Sequence, residues 1–247
     1  MKRIKVIVPI PMDEAGVAAR AEQLPADFVR SGFQPEFVAV PWGAALGDSY
    51  HDMLLMDWTV FQAGIKAEEE GYVGVLIDTV SDSGMRALRS RLNIPVVGPG
   101  EAAFAAAMML GKKFTVLTMW PEWFPLYEKT ITEYGWWERV ASLRSIDTRP
   151  DVTELLAGKE EVIFEKLKAE AILAIEEDGA DVIVLGSTTM HQSAKYLADN
   201  LPIPVLNPGQ VAYKFLETLI ELKLAHSKKA FPAPEVPKDE DIRKGWY

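Results

Sequence analysis

Two hydroxyl side chains, Thr79 and Ser187, occupy equivalent places in two copies of one sequence pattern. The first copy reads Gly71-Tyr-Val-Gly-Val-Leu-Ile-Asp-Thr79 and resumes at Ile94-Pro-Val-Val-Gly-Pro-Gly-Glu-Ala-Ala103. The second reads Gly179-Ala-Asp-Val-Ile-Val-Leu-Gly-Ser187 and resumes at Ile203-Pro-Val-Leu-Asn-Pro-Gly-Gln-Val-Ala212. Position 71 maps onto 179, an offset of 108, and 94 onto 203, an offset of 109, so one residue is inserted between them. Each copy reads as an apolar strand, a small-residue loop, a helix, a second strand at Ile-Pro-Val and a Pro-Gly turn opening another helix. Parallel α/β sheets bind ligands at the carboxyl ends of their strands. Two facing copies would therefore offer two matching loops to one ligand.

The loops are Asp78-Thr-Val-Ser-Asp-Ser-Gly84 and Gly186-Ser-Thr-Thr-Met-His191. Both are rich in hydroxyls and both end at a helix start, where unpaired backbone N–H groups suit a carboxylate or enolate oxygen. Ser, Thr and Asp also cap helices well, but capping requires no duplication, and the pair favours a site. Thr79 and Ser187 are the central candidates, and the amides of 79–81 and 187–189 are candidate oxyanion donors. Asp78 is the charged asymmetry between the loops, standing opposite Gly186, and it would serve as a base if partly buried. Asp82 reads first as a helix cap or first-turn acid. His191 lies one turn beyond Ser187, within reach of it or facing solvent. Val80, Ser81, Asp82, Thr188 and Thr189 complete the expected substrate contacts of these loops.

Composition removes more chemistry than it suggests. The chain has 247 residues, a formal charge of −10 and no cysteine, so thiol nucleophiles and disulfides are excluded. The acidic balance argues against nucleic-acid or anionic-membrane partners, which need a basic face. His51, His191 and His226 include no pair at metal-ligand spacing, and no metal or cofactor is expected. No apolar run reaches the ~20 residues that span a bilayer. The N-terminus already reads as a strand, and a cytoplasmic protein is expected.

Short β-branched runs alternate with longer amphipathic stretches. Strands are predicted at 4–8, 36–40, 73–77, 96–97, 114–118, 143–146, 181–185 and 205–206. Helices are predicted near 15–35, 52–70, 83–92, 101–110, 121–134, 151–177, 188–199 and 209–225. Alternation of this kind implies parallel βαβ units with helices on both faces. The repeat divides the strands into two groups of four. The expected fold is α/β, with two pseudo-twofold-related lobes, each a four-stranded parallel sheet flanked by helices, and a cleft between them. Lobe 1 is assigned residues 1–100 plus 208–226, and lobe 2 residues 101–207. Residues 227–247, with Pro-x-Pro spacing and a Lys-Asp-Glu-Asp run, read as a surface arm.

From Ile4 to about Lys228 the chain resembles the aspartate/glutamate racemase superfamily, and particularly its hydantoin and allantoin racemase branch. The resemblance rests on Ala180-Asp-Val-Ile-Val-Leu-Gly186, Ile94-Pro-Val-Val-Gly-Pro-Gly-Glu-Ala-Ala103, Ala141-Ser-Leu-Arg-Ser-Ile-Asp147, Glu176-Glu-Asp-Gly179 and Ala225-His-Ser-Lys228. It implies a small carboxylate or cyclic amide as ligand. It also implies a two-base mechanism in which paired cysteines work from opposite lobes, and those positions correspond to Thr79 and Ser187. An alcohol is far less acidic than a thiol and needs a separate base. A symmetrical two-thiol racemisation is therefore excluded. The family's polar motif after the first strand is replaced by Val8-Pro-Ile-Pro-Met12, so Pro9, Ile10 and Pro11 are expected to present an apolar wall. Across the cleft, Thr118, Met119 and Trp120, with Trp123 and Phe124, are expected to line or cover it unless these aromatics are core. Tyr50 and His51 lie in the segment that the family uses near its pocket.

The expected protein is an enzyme whose loop amides stabilise an enolate-like or tetrahedral oxyanion, acting as an isomerase, decarboxylase, lyase or hydrolase. The rival is a non-catalytic ligand-binding protein that kept the cleft, distinguished by the absence of a base near the hydroxyls. A homo-oligomer is also expected.

Overall fold

The computed structural model describes residues 1–150 and 163–239. Lobe 1 begins with β1 (Lys2–Val8), α1 (Glu14–Ala21), β2 (Phe33–Ala39), α2 (Tyr50–Gly64), β3 (Gly74–Ile77), α3 (Met85–Arg91) and β4 (Val96–Val97). Then come α4 (Pro99–Leu110), β5 (Phe114–Thr118), α5 (Phe124–Tyr134), β6 (Val140–Ser145), α6 (Phe164–Glu176), β7 (Val182–Leu185), α7 (His191–Asn200), β8 (Val205–Leu206) and α8 (Pro208–Glu221). Two four-stranded sheets result, ordered β2-β1-β3-β4 and β6-β5-β7-β8, with all pairings parallel. The same order in both sheets is the structural form of the repeat.

Strands β3 and β7 are wholly buried, as expected for central parallel strands covered on both faces. Helix α8 packs on β3 and β4, so Ala212, Tyr213 and Leu216 enter one core with Ile4, Val6 and Leu76. Helix α4 packs on β5 and β7, where Ala103, Phe104 and Ala107 meet Phe114, Val116, Val182 and Val184. The two helices also pack on each other. Each strand-end pair is thereby fixed against both lobes.

Several elements are shorter than their sequence patterns imply. The helix expected over 15–35 stops at Ala21, because Pro25 and the left-handed Gly32 (φ +90°) carry the chain into β2. That strand begins at Phe33 and contains Pro35, which an edge position tolerates. The expected helix over 151–177 is observed from Phe164, and its first part lies outside the described residues. No described helix is long and apolar enough to cross a membrane.

Residues beyond α8 lie across the end of α3. Lys228 Nζ donates to the carbonyls of Arg89, Ser90 and Leu92 at 2.8, 3.2 and 2.5 Å, placing a cation where the helix dipole favours one. Arg91 pairs with Asp239. Residues 240 and 241 of the acidic run lie outside the described residues. His226 Nε2 accepts the Val96 amide at 3.0 Å, which requires the unprotonated nitrogen. Burial, then the nearby Arg89 charge, push its pKa down to about 4. Between pH 6.5 and 4 the unfolded chain therefore binds a proton that the folded chain excludes. This contribution to stability is present above pH 6.5 and lost as pH falls through that window. We expect the acid-induced fall in Tm to be shallower in His226→Gln, which keeps an acceptor without the charge. Equal slopes in pH-dependent thermal melts would refute this role.

Candidate functional site

The carboxyl ends of β1, β3 and β7 open into one cleft between the lobes, with about 830 Å³ of unfilled space, part of it open to solvent. Thr79 and Ser187 both line it, one from each copy. Their local geometry is matched. Thr79 Oγ1 lies 3.0 Å from Ser81 Oγ and accepts the Ser81 amide at 3.4 Å. Ser187 Oγ lies 2.7 Å from Thr189 Oγ1 and accepts the Thr189 amide at 3.2 Å. Among the described residues, neither hydroxyl has a carboxylate, imidazole or amine as a partner. The amides of Thr79, Val80, Ser187 and Thr188 donate no hydrogen bond among those residues, whereas Asp78 and Gly186, just before them, still donate to Ile7 and Leu117. Sheet pairing ends at the cleft and leaves two pairs of donors there.

Beneath the loops lies a buried ion pair. Arg20, on α1, reaches Asp78 Oδ2 through Nε at 2.8 Å and Nη2 at 2.6 Å. Nη2 also donates to the Asp78 carbonyl at 3.0 Å and to Thr188 Oγ1 at 2.6 Å. Thr188 in turn donates to the Asp78 carbonyl at 3.2 Å. Gln23 Nε2 approaches both Asp78 oxygens, at 3.1 and 3.3 Å. The two loops are thus tied together one residue away from Thr79 and Ser187. Asp78 is 1% exposed and Arg20 8%. Asp78 is thus paired with a cation and engaged on both oxygens.

The copies cannot exchange these residues. A Cβ on Gly186 would lie 2.5 Å from Tyr127 Oη and 2.8 Å from Thr118 Cβ. Tyr127 Oη donates to the Gly186 carbonyl and lies 2.8 Å from Thr118 Oγ1, so lobe 2 fills with a phenol the region where lobe 1 carries a charge.

The cleft gathers Pro9, Ile10, Asp78, Thr79, Val80, Ser81, Ser187, Thr188 and Thr189 from the expected residues. Trp123 joins them, its Nε1 donating to the Leu46 carbonyl at 2.9 Å and bridging the lobes. Others fall elsewhere. Pro11 does not line the cleft, and Tyr50 is 77% exposed at the start of α2. Thr118 and Met119 are core, and Trp120 packs edge-on against Trp123 at 6.4 Å outside the lining. Phe124 packs on the α4–β5 core, and His51 is exposed beside Asp52. His191 opens α7 beyond the 3-10 turn Thr188–Met190 and does not line the cleft.

Asp82 is also corrected. In a left-handed conformation (φ +52°), it turns from its own helix to cap α4, accepting the Gly100 and Glu101 amides at 2.8 and 2.7 Å. Burial pushes its pKa up to about 7, against the pull of those two amides. It holds the loop to α4 and does not line the cleft. Sequence reasoning missed Arg20, Leu46, Met56 and Leu126. Arg20 left no signal, since it is an isolated cation on a helix and its partner lies 58 residues away.

The family model described as Asp/Glu/Hydantoin racemase matches residues 17–216. A hydantoin racemase of Pseudomonas sp. (strain NS671) is 32% identical over 233 residues, which is 94% of this chain and 92% of that protein. Among solved structures, allantoin racemase from Klebsiella pneumoniae matches with a TM-score of 0.85 at 28% identity, over 96% of this chain and 95% of that one. Allantoin racemase from Pseudomonas fluorescens matches equally, TM-score 0.85 at 27% identity, over 96% and 98%.

Proposed function

Because this chain belongs to the Asp/Glu/hydantoin racemase family, we propose that it acts on a small carboxylate or cyclic amide held between its lobes. The proposed catalytic element is the backbone, with the amides of Thr79 and Val80 facing those of Ser187 and Thr188. These donors would stabilise an enolate-like or tetrahedral oxyanion, where removing one such donor typically costs about 3–4 kcal/mol of barrier lowering. The single observation carrying this reading is that these four amides lose their sheet partners at one cleft. Thr79 and Ser187 hold the loop turns and contact the ligand. They are not a base pair, because an alcohol with only hydroxyl and amide partners has nothing to take its proton. The apolar wall of Val8, Pro9, Ile10, Met12 and Trp123 suits a substituent bulkier than that of a bare hydantoin. Assembly as a homo-oligomer belongs to the same proposal.

Two measurements test it. A crystal soaked with a 5-substituted hydantoin is expected to place a ring oxygen about 2.7–3.1 Å from amide nitrogens of both loops. An oxygen bound elsewhere would remove the amides' role. Polarimetry on hydantoin, allantoin, aspartate and glutamate is expected to show no racemisation near a typical enzyme rate of about 1 s⁻¹. Turnover at that rate would mean that a base outside both loops moves the proton.

A further inference from the structure

Arg20 and Asp78 are the charged side chains among the described residues lining the cleft, and they are paired with one another. Nε and Nη2 are engaged, whereas Nη1 donates no hydrogen bond among the described residues. The side-chain polar atom sealed from solvent without a partner there is Tyr213 Oη, so Nη1 is reached by solvent, and Arg20 lines the cleft. An arginine keeps its charge under all ordinary conditions. Alone, it would attract a carboxylate. Beside Asp78, 2.6 Å away, its charge is cancelled while its free N–H remains.

We propose that Arg20 and Asp78 together set the specificity of the cleft: Arg20 Nη1 donates to a ligand carbonyl, and Asp78 cancels the charge so that uncharged ring amides are admitted and carboxylates of similar shape are rejected. This deepens the functional reading above and rests on it. A ligand carboxylate placed at Nη1 meets the Asp78 carboxylate on the same guanidinium, and like charges sharing one cation lose much of the attraction. A neutral carbonyl meets no such penalty. Discrimination of this kind needs a repulsive element as well as an attractive one, and Asp78 supplies it. Gly186 stands opposite Asp78 in the repeat, so the element exists in one lobe only and orients the ligand relative to the two loops.

The test uses a matched pair, 5-benzylhydantoin and its ring-opened N-carbamoylphenylalanine, which differ by one water and by a carboxylate. Calorimetric titration of the wild type is expected to favour the closed ring. Asp78→Asn, which retains an acceptor for Arg20 and Gln23, is expected to shift the preference towards the carboxylate by about 10- to 100-fold, the worth of one hydrogen bond to a charged group. Arg20→Met/Asp78→Asn removes both charges and keeps the Gln23 contact. It is expected to weaken ring binding about tenfold with no gain for the carboxylate, and it decides the question alone should Asp78→Asn fail to fold. Wild-type binding of the pair with unchanged preference in Asp78→Asn, or unchanged ring affinity in the double variant, overturns this proposal alone. Wild-type binding of neither compound overturns the functional reading and this proposal with it.

Discussion

Asp78→Ala is expected to destabilise the folded protein by about 3–5 kcal/mol, the usual cost of leaving one member of a buried ion pair without its partner. Arginine keeps its charge when its partner is removed, and Arg20 is only 8% exposed, so little water is at hand to replace the carboxylate. Asp78 also organises Gln23, and the carbonyl of the same residue receives Arg20 and Thr188. Its loss therefore loosens a buried contact that joins the two strand-end loops. For a chain of this size the fall in Tm should be on the order of 10 °C. Arg20→Met/Asp78→Asn should lose much less, because replacing both charges leaves no uncompensated ion. Denaturant melts of the two variants give the comparison. A loss below about 1 kcal/mol in Asp78→Ala, within the range of exposed pairs, would show that the pair is solvated and contributes little to the fold.

Placing thiols at positions 79 and 187 is expected to leave the protein at least about a hundredfold slower on hydantoins than its racemase relatives, the size of penalty that a misplacement of about 1 Å imposes. Thr79→Cys/Ser187→Cys gains two groups that ionise more readily at a helix start. The rest of the cleft stays as it is. Val8, Pro9, Ile10 and Met12 present no side-chain donor where the family's polar motif is expected to hold substrate, and the Arg20–Asp78 pair still orients what binds. The measurement is polarimetry of both enantiomers of a 5-substituted hydantoin. Efficient racemisation by the double variant would mean that the cleft already holds hydantoins productively and that two thiols are all it needs.

The two-lobed fold and the cleft were legible because they depend on local, repeated signals. Apolar runs of four to seven residues mark central strands whatever surrounds them, and a duplicated run places their ends at matching sites. Thr79 and Ser187 were found that way, as were the loop residues Val80, Ser81, Thr188 and Thr189. The aromatic segment after β5 was not decidable by the same means. Trp120, Trp123 and Phe124 have the same chemistry and adjacent positions, yet only Trp123 meets the cleft, because a 3-10 turn before α5 sets which ring faces inward.

By itself the sequence determined what this protein cannot use, namely thiols, and where its strands must end. Both follow from residue identity and periodicity, which act over a few neighbours. Tertiary structure decided what the acidic residues do. Asp78 read as a carboxylate that would act as a base if partly buried, and α1 brings Arg20 to it as a counter-ion from 58 residues away. Asp82 looked like a cap for the next helix and instead caps α4, 18 residues on. A carboxylate's role is set by which charge or amide lies within about 3 Å once water is excluded, and that neighbour is supplied by packing of distant segments, of which a local pattern holds no trace.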